Sequence, residues 1–180
     1  MPFAAGTICG MNPLTKAKRD AAVAVARTHP ELKGLLRGRS EVVFVEPNLT
    51  GRGDKHPGQA VVGLHDYKGN RSVVAVVDTE AKKVVGVEPL RGQLQLSEAE
   101  RREANGLAAK DARVRDFLAG GDLDPLTRLY FPPGANESHR YAIVFARPDT
   151  SRRRYVIVDL TERKVLDVLE QLATRGPHGG

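Results

Sequence analysis

VVAVVDTEAKKVVGVE, residues 73–88, returns eighty-one positions later as RYVIVDLTERKVLDVLE, residues 154–170. Asp78 comes back as Asp159, since 159 − 78 = 81, Lys83-Val84 as Lys164-Val165, and Val87 as Val168. Self-similarity at a fixed distance is the signature of a duplicated structural unit. Extended upstream at the same offset, Ala60-Val61-Val62-Gly63-Leu64 falls on Tyr141-Ala142-Ile143-Val144-Phe145, with no gap needed from residue 60 to residue 88. Further upstream, LTKAKRDAAVAVARTHPELKGLL (14–36) matches LSEAERREANGLAAKDARVRDFL (96–118) at an offset of 82. The segments between, 37–58 and 119–139, differ in length and texture.

Each copy has the same local reading. Ser97 with Glu100 is an S-x-x-E capping box, in which hydroxyl and carboxylate each take an orphan backbone N–H. Thr15 is the corresponding N-cap of the first copy. Ala17, Ala21, Ala22 and Val25 then recur at helical spacing. Pro30, aligned with Ala112, opens a second short helix, the position proline suits best. His29 precedes it as a cap or surface residue. VVFVEP (42–47) and TRLYFP (127–132) read as first strands, AVVGLH (60–65) and YAIVFA (141–146) as second strands. SVVAVVD and RYVIVD follow, then KVVGVE and KVLDVLE. Short turns between closely spaced strands imply antiparallel hairpins. The expected fold is therefore α+β: two tandem repeats, each a helix packed on a four-stranded antiparallel sheet. The expected boundaries are a tail at 1–13, repeats at 14–90 and 96–171, a link at Arg91–Gln95, and a flexible tail at 172–180. Val62, Leu64, Val74, Val76, Ile143, Phe145, Tyr155 and Ile157 are the expected buried strand residues.

With the repeat in place, the segments around Thr28-His29-Pro30-Glu31-Leu32 and Val76-Val77-Asp78 through Val87-Glu88-Pro89-Leu90 resemble the small N-terminal α/β domains of copper amine oxidases. Those domains occur in tandem ahead of a large catalytic β-sandwich. The resemblance covers residues 14 to 170 and implies a cystatin-like fold in each repeat. Amine oxidases draw their chemistry from a tyrosine-derived quinone and a histidine-bound copper in the catalytic domain. The Asn-Tyr-Asp/Glu quinone motif is absent here, and Tyr67-Lys68-Gly69-Asn70 is not that motif. The resemblance thus implies a non-catalytic accessory or interaction protein, such as a small subunit of an amine oxidase. Its expected partner is a catalytic subunit or a second copy of itself.

The residues themselves offer little chemistry. The 180-residue chain carries 28 Lys and Arg against 22 Asp and Glu, a net charge of +6 spread along its length. With few aromatics, a base-stacking platform is poorly supplied, so nucleic acid is not the expected partner. No apolar run approaches a membrane span, and MPFAAGTICG lacks the basic and apolar regions of a signal peptide, so a cytoplasmic location is expected. The single cysteine, Cys9, reads as an incidental thiol. Five histidines, His29, His56, His65, His139 and His178, form no HxH or HExxH pair, so no metal ligands and no cofactor are assigned. TGRGDKHPG (50–58) fails the P-loop spacing and reads as a turning loop.

His65-Asp66-Tyr67 is the one catalytic candidate. It ends a strand, and at the 81-residue offset it falls on Ala146-Arg147-Pro148, so it is peculiar to the first copy. Imidazole beside carboxylate can do acid–base work, although neighbours on a strand point to opposite faces. The alternative to an accessory role is therefore a small cofactor-independent enzyme or ligand-binding protein of a biosynthetic pathway. It would have a pocket between helix and curved sheet, and His65, Asp66, Tyr67, Tyr130 or Tyr141 near its mouth. Read as a polar turn, the same three residues tolerate alanine at a cost within roughly 1 kcal/mol.

Overall fold

The computed structural model describes residues 14–50, 54–118, 123–149 and 152–170. Helix α1 (Lys16–Thr28) and the short α2 (Pro30–Leu35) precede strands β1 (Ser40–Thr50), β2 (Asp54–Asp66), β3 (Arg71–Asp78) and β4 (Lys83–Leu90). Helices α3 (Glu98–Lys110) and α4 (Ala112–Leu118) then precede β5 (Leu123–Tyr130), β6 (Tyr141–Ala146), β7 (Arg154–Asp159) and β8 (Lys164–Leu169). The chain is α+β. Two four-stranded antiparallel sheets run in simple meander order, β1-β2-β3-β4 and β5-β6-β7-β8. Among the described residues no helix is long and apolar enough to cross a membrane. Cys9 and His178 lie outside the described residues, as do both terminal tails.

The caps act as the sequence indicates. The Thr15 hydroxyl accepts from the Lys18 N–H, and the Ser97–Glu100 box closes in both directions. His29 ends α1, and its carbonyl receives the Leu32 and Lys33 N–H groups as α2 restarts at Pro30. Only one stripe of each long helix is buried: Ala22 and Ala26 in α1, and Glu100, Ala104 and Ala108 in α3. Ala22 and Ala26 share a core with Ala60, Val62, Leu64, Val73, Ala75 and Val77. Ala104 and Ala108 share another with Ala142, Val144, Ala146, Val156 and Val158. Small alanines let a helix axis approach the strands closely, while the valines and leucines fill the remaining volume.

These cores correct the gapless alignment of the second strands. The core-facing residues of β3 and β7, Ala75 and Val77 against Val156 and Val158, are 81 apart. Those of β2 and β6, Ala60, Val62 and Leu64 against Ala142, Val144 and Ala146, are 82 apart (142 − 60 = 82). The ungapped match is one residue out in β6. Strand side chains alternate with a period of two, so a one-residue slip sends the whole set to the opposite face. Ile143 and Ile157 are buried on the face away from α3, beside an edge-to-face pair of Phe145 and Tyr155. Val74, Val76, Phe145 and Tyr155, all expected to be buried, are half-buried.

The first hairpin is also longer than expected. Residues 48–50 and 54–58 belong to strands rather than to a loop, with Leu49 opposite Lys55, Thr50 opposite Asp54 and a register shift between Pro47 and Leu49. A register shift between Val42 and Phe44 swings the Phe44 ring across the backbone of Gly63. A Cβ at residue 63 would lie 2.3 Å from Phe44 Cε1, so only glycine fits beneath the ring. Gly63→Ala should cost about 1–3 kcal/mol. Pairing it with Phe44→Ala should make the alanine at 63 nearly neutral relative to Phe44→Ala alone, as read by urea unfolding.

Candidate functional site: a clamped junction and the cleft beside it

Arg140 sits one residue before β6 and is fully buried. Its Nε donates to Glu100 Oε1 at 2.5 Å, and its Nη2 to Glu100 Oε2 at 3.0 Å and to the Gln95 carbonyl at 2.9 Å. Nη1 donates to the Leu94 carbonyl at 2.9 Å and to Gln93 Oε1 at 3.2 Å. All of the arginine's side-chain nitrogens are thus engaged. The 91–95 link between the sheets is a clamped segment, not a slack tether.

Glu100 does two jobs. It completes the capping box, taking the Ser97 N–H on Oε2 at 2.7 Å, and it accepts the Tyr67 hydroxyl on Oε1 at 2.6 Å. Tyr67 belongs to the β2–β3 turn, yet its ring is buried in the core cluster of α3 and the second sheet. The Arg39 guanidinium lies 3.9 Å above that ring. Arg39 also donates to the Leu160 carbonyl and, at 2.6 Å, to Glu103, which takes Arg163 as well. A chain of polar and charged contacts therefore runs Arg140, Glu100, Tyr67, Arg39, Glu103, Arg163, crossing from the second half to the first at Tyr67 and back again at Glu103.

Electrostatics follow from burial. Desolvation disfavours ionised Glu100, but the Arg140 hydrogen bonds and charge, with those of Tyr67 and Ser97, outweigh it and hold its pKa below the usual carboxylate value. Burial and the neighbouring Glu100 carboxylate push the Tyr67 hydroxyl well above its ordinary value, so it stays a donor. Burial raises Glu41, only partly offset by its hydrogen bond from Ser97.

This overturns the surface reading of His65-Asp66-Tyr67. All three are buried. His65 faces Ser72 through Nδ1 at 3.1 Å and stacks edge-on to Tyr67, while its Nε2 is buried without a hydrogen-bond partner. Asp66 instead accepts the Lys68 and Gly69 N–H groups and closes the turn. His65 and Asp66 thus take separate partners, each built into the fold. Tyr67→Ala is expected to cost more than a change in an exposed turn, because its hydroxyl bonds Glu100 and its ring is buried in the second core. Burial, followed by the Arg140 charge, lowers the His65 pKa from 6.5 to about 4.

Beside the clamp lies an open cleft of about 650 Å³. The first half contributes Asn70, Arg71, Leu90, Gly92 and Gln93; the second contributes the 131–137 turn, His139 and Tyr141. Its floor is stitched by amides: Asn70 Nδ2 donates to the Glu137 carbonyl at 2.6 Å, and Gln93 Nε2 to Asn70 Oδ1 at 2.7 Å. Asn70 reaches this position from a left-handed conformation (φ 46°), which asparagine adopts more readily than most residues. The rim is apolar: Phe131 is 57% exposed and Leu90 38%. Tyr141, an expected pocket residue, lines the cleft and donates to the Asn136 carbonyl at 3.1 Å. Tyr130 pairs with Tyr141 across β5 and β6 but is not among the lining residues. His139, which carried no sequence signal, shares a 2.7 Å contact between Nδ1 and Asp159 Oδ2.

No protein-family model matches this sequence, and a search of curated proteins found none similar to it.

Removing one partner of the clamp leaves a buried charge, so Arg140→Met and Glu100→Gln should each cost roughly 3–5 kcal/mol in chemical denaturation. Tyr67→Phe should cost about 1–2 kcal/mol. For His65 the unfolded chain binds the proton more readily than the folded one, so stability is full above pH 6.5 and falls as pH drops toward 4. Unfolding curves collected across that window should show the decline, and His65→Leu should remove the part due to this residue, flattening the profile.

Proposed function

We propose that the chain is a non-catalytic binding protein made of two copies of one helix-on-sheet unit, with the cleft between the copies as its ligand site. Several features support the duplication. Asp78 and Asp159 each accept the backbone N–H groups two and three residues on. Lys82 (φ 51°) and Arg163 (φ 59°), 81 apart, close the same turn in left-handed conformation. Val85 and Leu166, also 81 apart, are the extra residues where β4 and β8 shift register, and both are exposed. These traits agree with the resemblance to amine oxidase N-terminal domains, and an accessory role beside a separate catalytic subunit remains part of the proposal.

The observation that carries the binding reading is the cleft itself. An exposed phenylalanine and leucine stand over a floor of fixed amides at the junction of two units, where ligand sites concentrate. Such a lining suits a small molecule with an aromatic or aliphatic body and a hydrogen-bonding group. A second reading, an enzyme, is favoured by the His139–Asp159 contact, since a carboxylate that orients an imidazole is the arrangement general-base catalysis requires. It replaces His65, Asp66 and Tyr67, which are built into the junction.

The test uses 8-anilinonaphthalene-1-sulfonate as an apolar anionic probe. The folded chain should enhance its fluorescence saturably, and Phe131→Ala should weaken binding at least about tenfold without changing stability by more than roughly 0.5 kcal/mol, because the side chain is exposed. Equal probe binding by the variant would contradict the cleft reading. Co-purification of an amine-oxidising subunit from the native host would support the accessory role.

A further inference from the structure

We propose that His139, Asp159 and Glu162 form a binding site for a divalent transition-metal ion of the zinc or cobalt type. Each residue offers one ligand atom, and the three atoms lie within 4.8 Å of one another. The proposal does not rest on the cleft's ligand, although His139 lines the cleft as well.

The comparison of the two halves is the reason to separate this cluster from an ordinary polar turn. The turn after β3 and the turn after β7 are built alike, on an aspartate that holds two backbone N–H groups and a left-handed residue before the next strand. In the first half that construction is complete with Asp78 alone: position 81, which corresponds to 162, is alanine. Position 58 or 57, which corresponds to 139 at an offset of 81 or 82, is glycine or proline. The fold therefore needs neither the histidine nor the glutamate. The second half adds both, and places them around the one carboxylate the turn already fixes.

The geometry suits a cation. Asp159 is buried and immobilised, since Oδ1 holds the Thr161 and Glu162 N–H groups while Oδ2 faces His139. His139 is half-buried, positioned by its own N–H to the Asn136 carbonyl. Nδ1 stands 2.7 Å from Asp159 Oδ2 and the other ring nitrogen, Nε2, 4.0 Å from Glu162 Oε1; one ion takes only one of the two nitrogens, and one atom from each of the three residues lies within 4.8 Å of the others. Glu162 is 46% exposed, so its carboxylate has room to shift, on release from Lys164, toward metal–oxygen distances of about 2.0–2.2 Å. One imidazole and two carboxylates suit zinc, cobalt or manganese better than calcium, which takes oxygen donors alone. His139 also lines the cleft, so remaining coordination positions lie beside a space that admits water or a ligand oxygen. The Lys164 ammonium, which pairs with Glu162, competes with the cation for that carboxylate.

Isothermal titration of the full chain with Zn²⁺, and with Co²⁺ followed by its visible absorption, tests the site. One equivalent should bind, and saturating Zn²⁺ should raise the melting temperature, since a ion bound only by the folded state stabilises it. Glu162→Gln, at an exposed position, should weaken binding at least about tenfold with the fold intact; His139→Ala should abolish the histidine-dependent cobalt spectrum. Lys164→Gln should tighten binding by freeing the carboxylate, and His29→Ala should leave it unchanged. Absence of saturable binding by the wild type would overturn the proposal. So would equal affinity in Glu162→Gln, whatever becomes of His139→Ala.

Discussion

The buried pairing of Arg140 with Glu100 is the constraint on which the rest of this molecule depends. A carboxylate with no surface exposure to speak of is costly unless its charge is met and its lone pairs are filled. Here the guanidinium fills one side, the Tyr67 hydroxyl another, and the Ser97 N–H a third. The three donors come from the residue before β6, from the β2–β3 turn and from the N-cap of α3. The same guanidinium then captures the carbonyls of Leu94 and Gln95. Satisfying one charge thereby ties the link to the second half, beside the Asn70 and Gln93 amides that bond the Glu137 and His139 carbonyls. The cleft is a by-product of that arrangement, which gives it a rigid floor.

The local elements were legible because their signals are local. Ser97 and Glu100 announced a capping box, Pro30 a helix restart, and the Asp78 and Asp159 phrases a recurring hairpin. The sheet composition and antiparallel order followed from strand spacing. The register of β6 was not legible, because adjacent apolar residues such as Ala142, Ile143, Val144 and Phe145 alternate poorly between faces. A run that is apolar at every position fits either register, and only the core chooses.

The site was far less legible than the fold, for a related reason. His65-Asp66-Tyr67 looked like surface chemistry because polar residues follow a strand end; three buried polar groups at a junction produce the same letters. Nothing in the spacing of Tyr67, Glu100 and Arg140 announces that they meet, since each partner is supplied by a different element. His139 and Asp159 are twenty positions apart and joined only by the β6–β7 pairing. The proposed duplication supplies a usable signal: positions where the second half of the sequence departs from the first. Glu162 against Ala81 is such a departure, visible at the 81-residue offset.

The central claim, that the two halves are locked into one cooperative body by the clamp, is tested most directly by native-state hydrogen exchange. The Leu94 amide, which bonds Ser72 of β3 at 3.3 Å while its own carbonyl takes Arg140, reports on opening of the clamped link, and the Val62 and Val144 amides report on the two sheets. If the account holds, all three exchange with the same opening free energy, that of global unfolding. Exchange of Leu94 through a much cheaper opening, with Val62 and Val144 still protected, would mean that the halves part freely and that the clamp does not hold the molecule together.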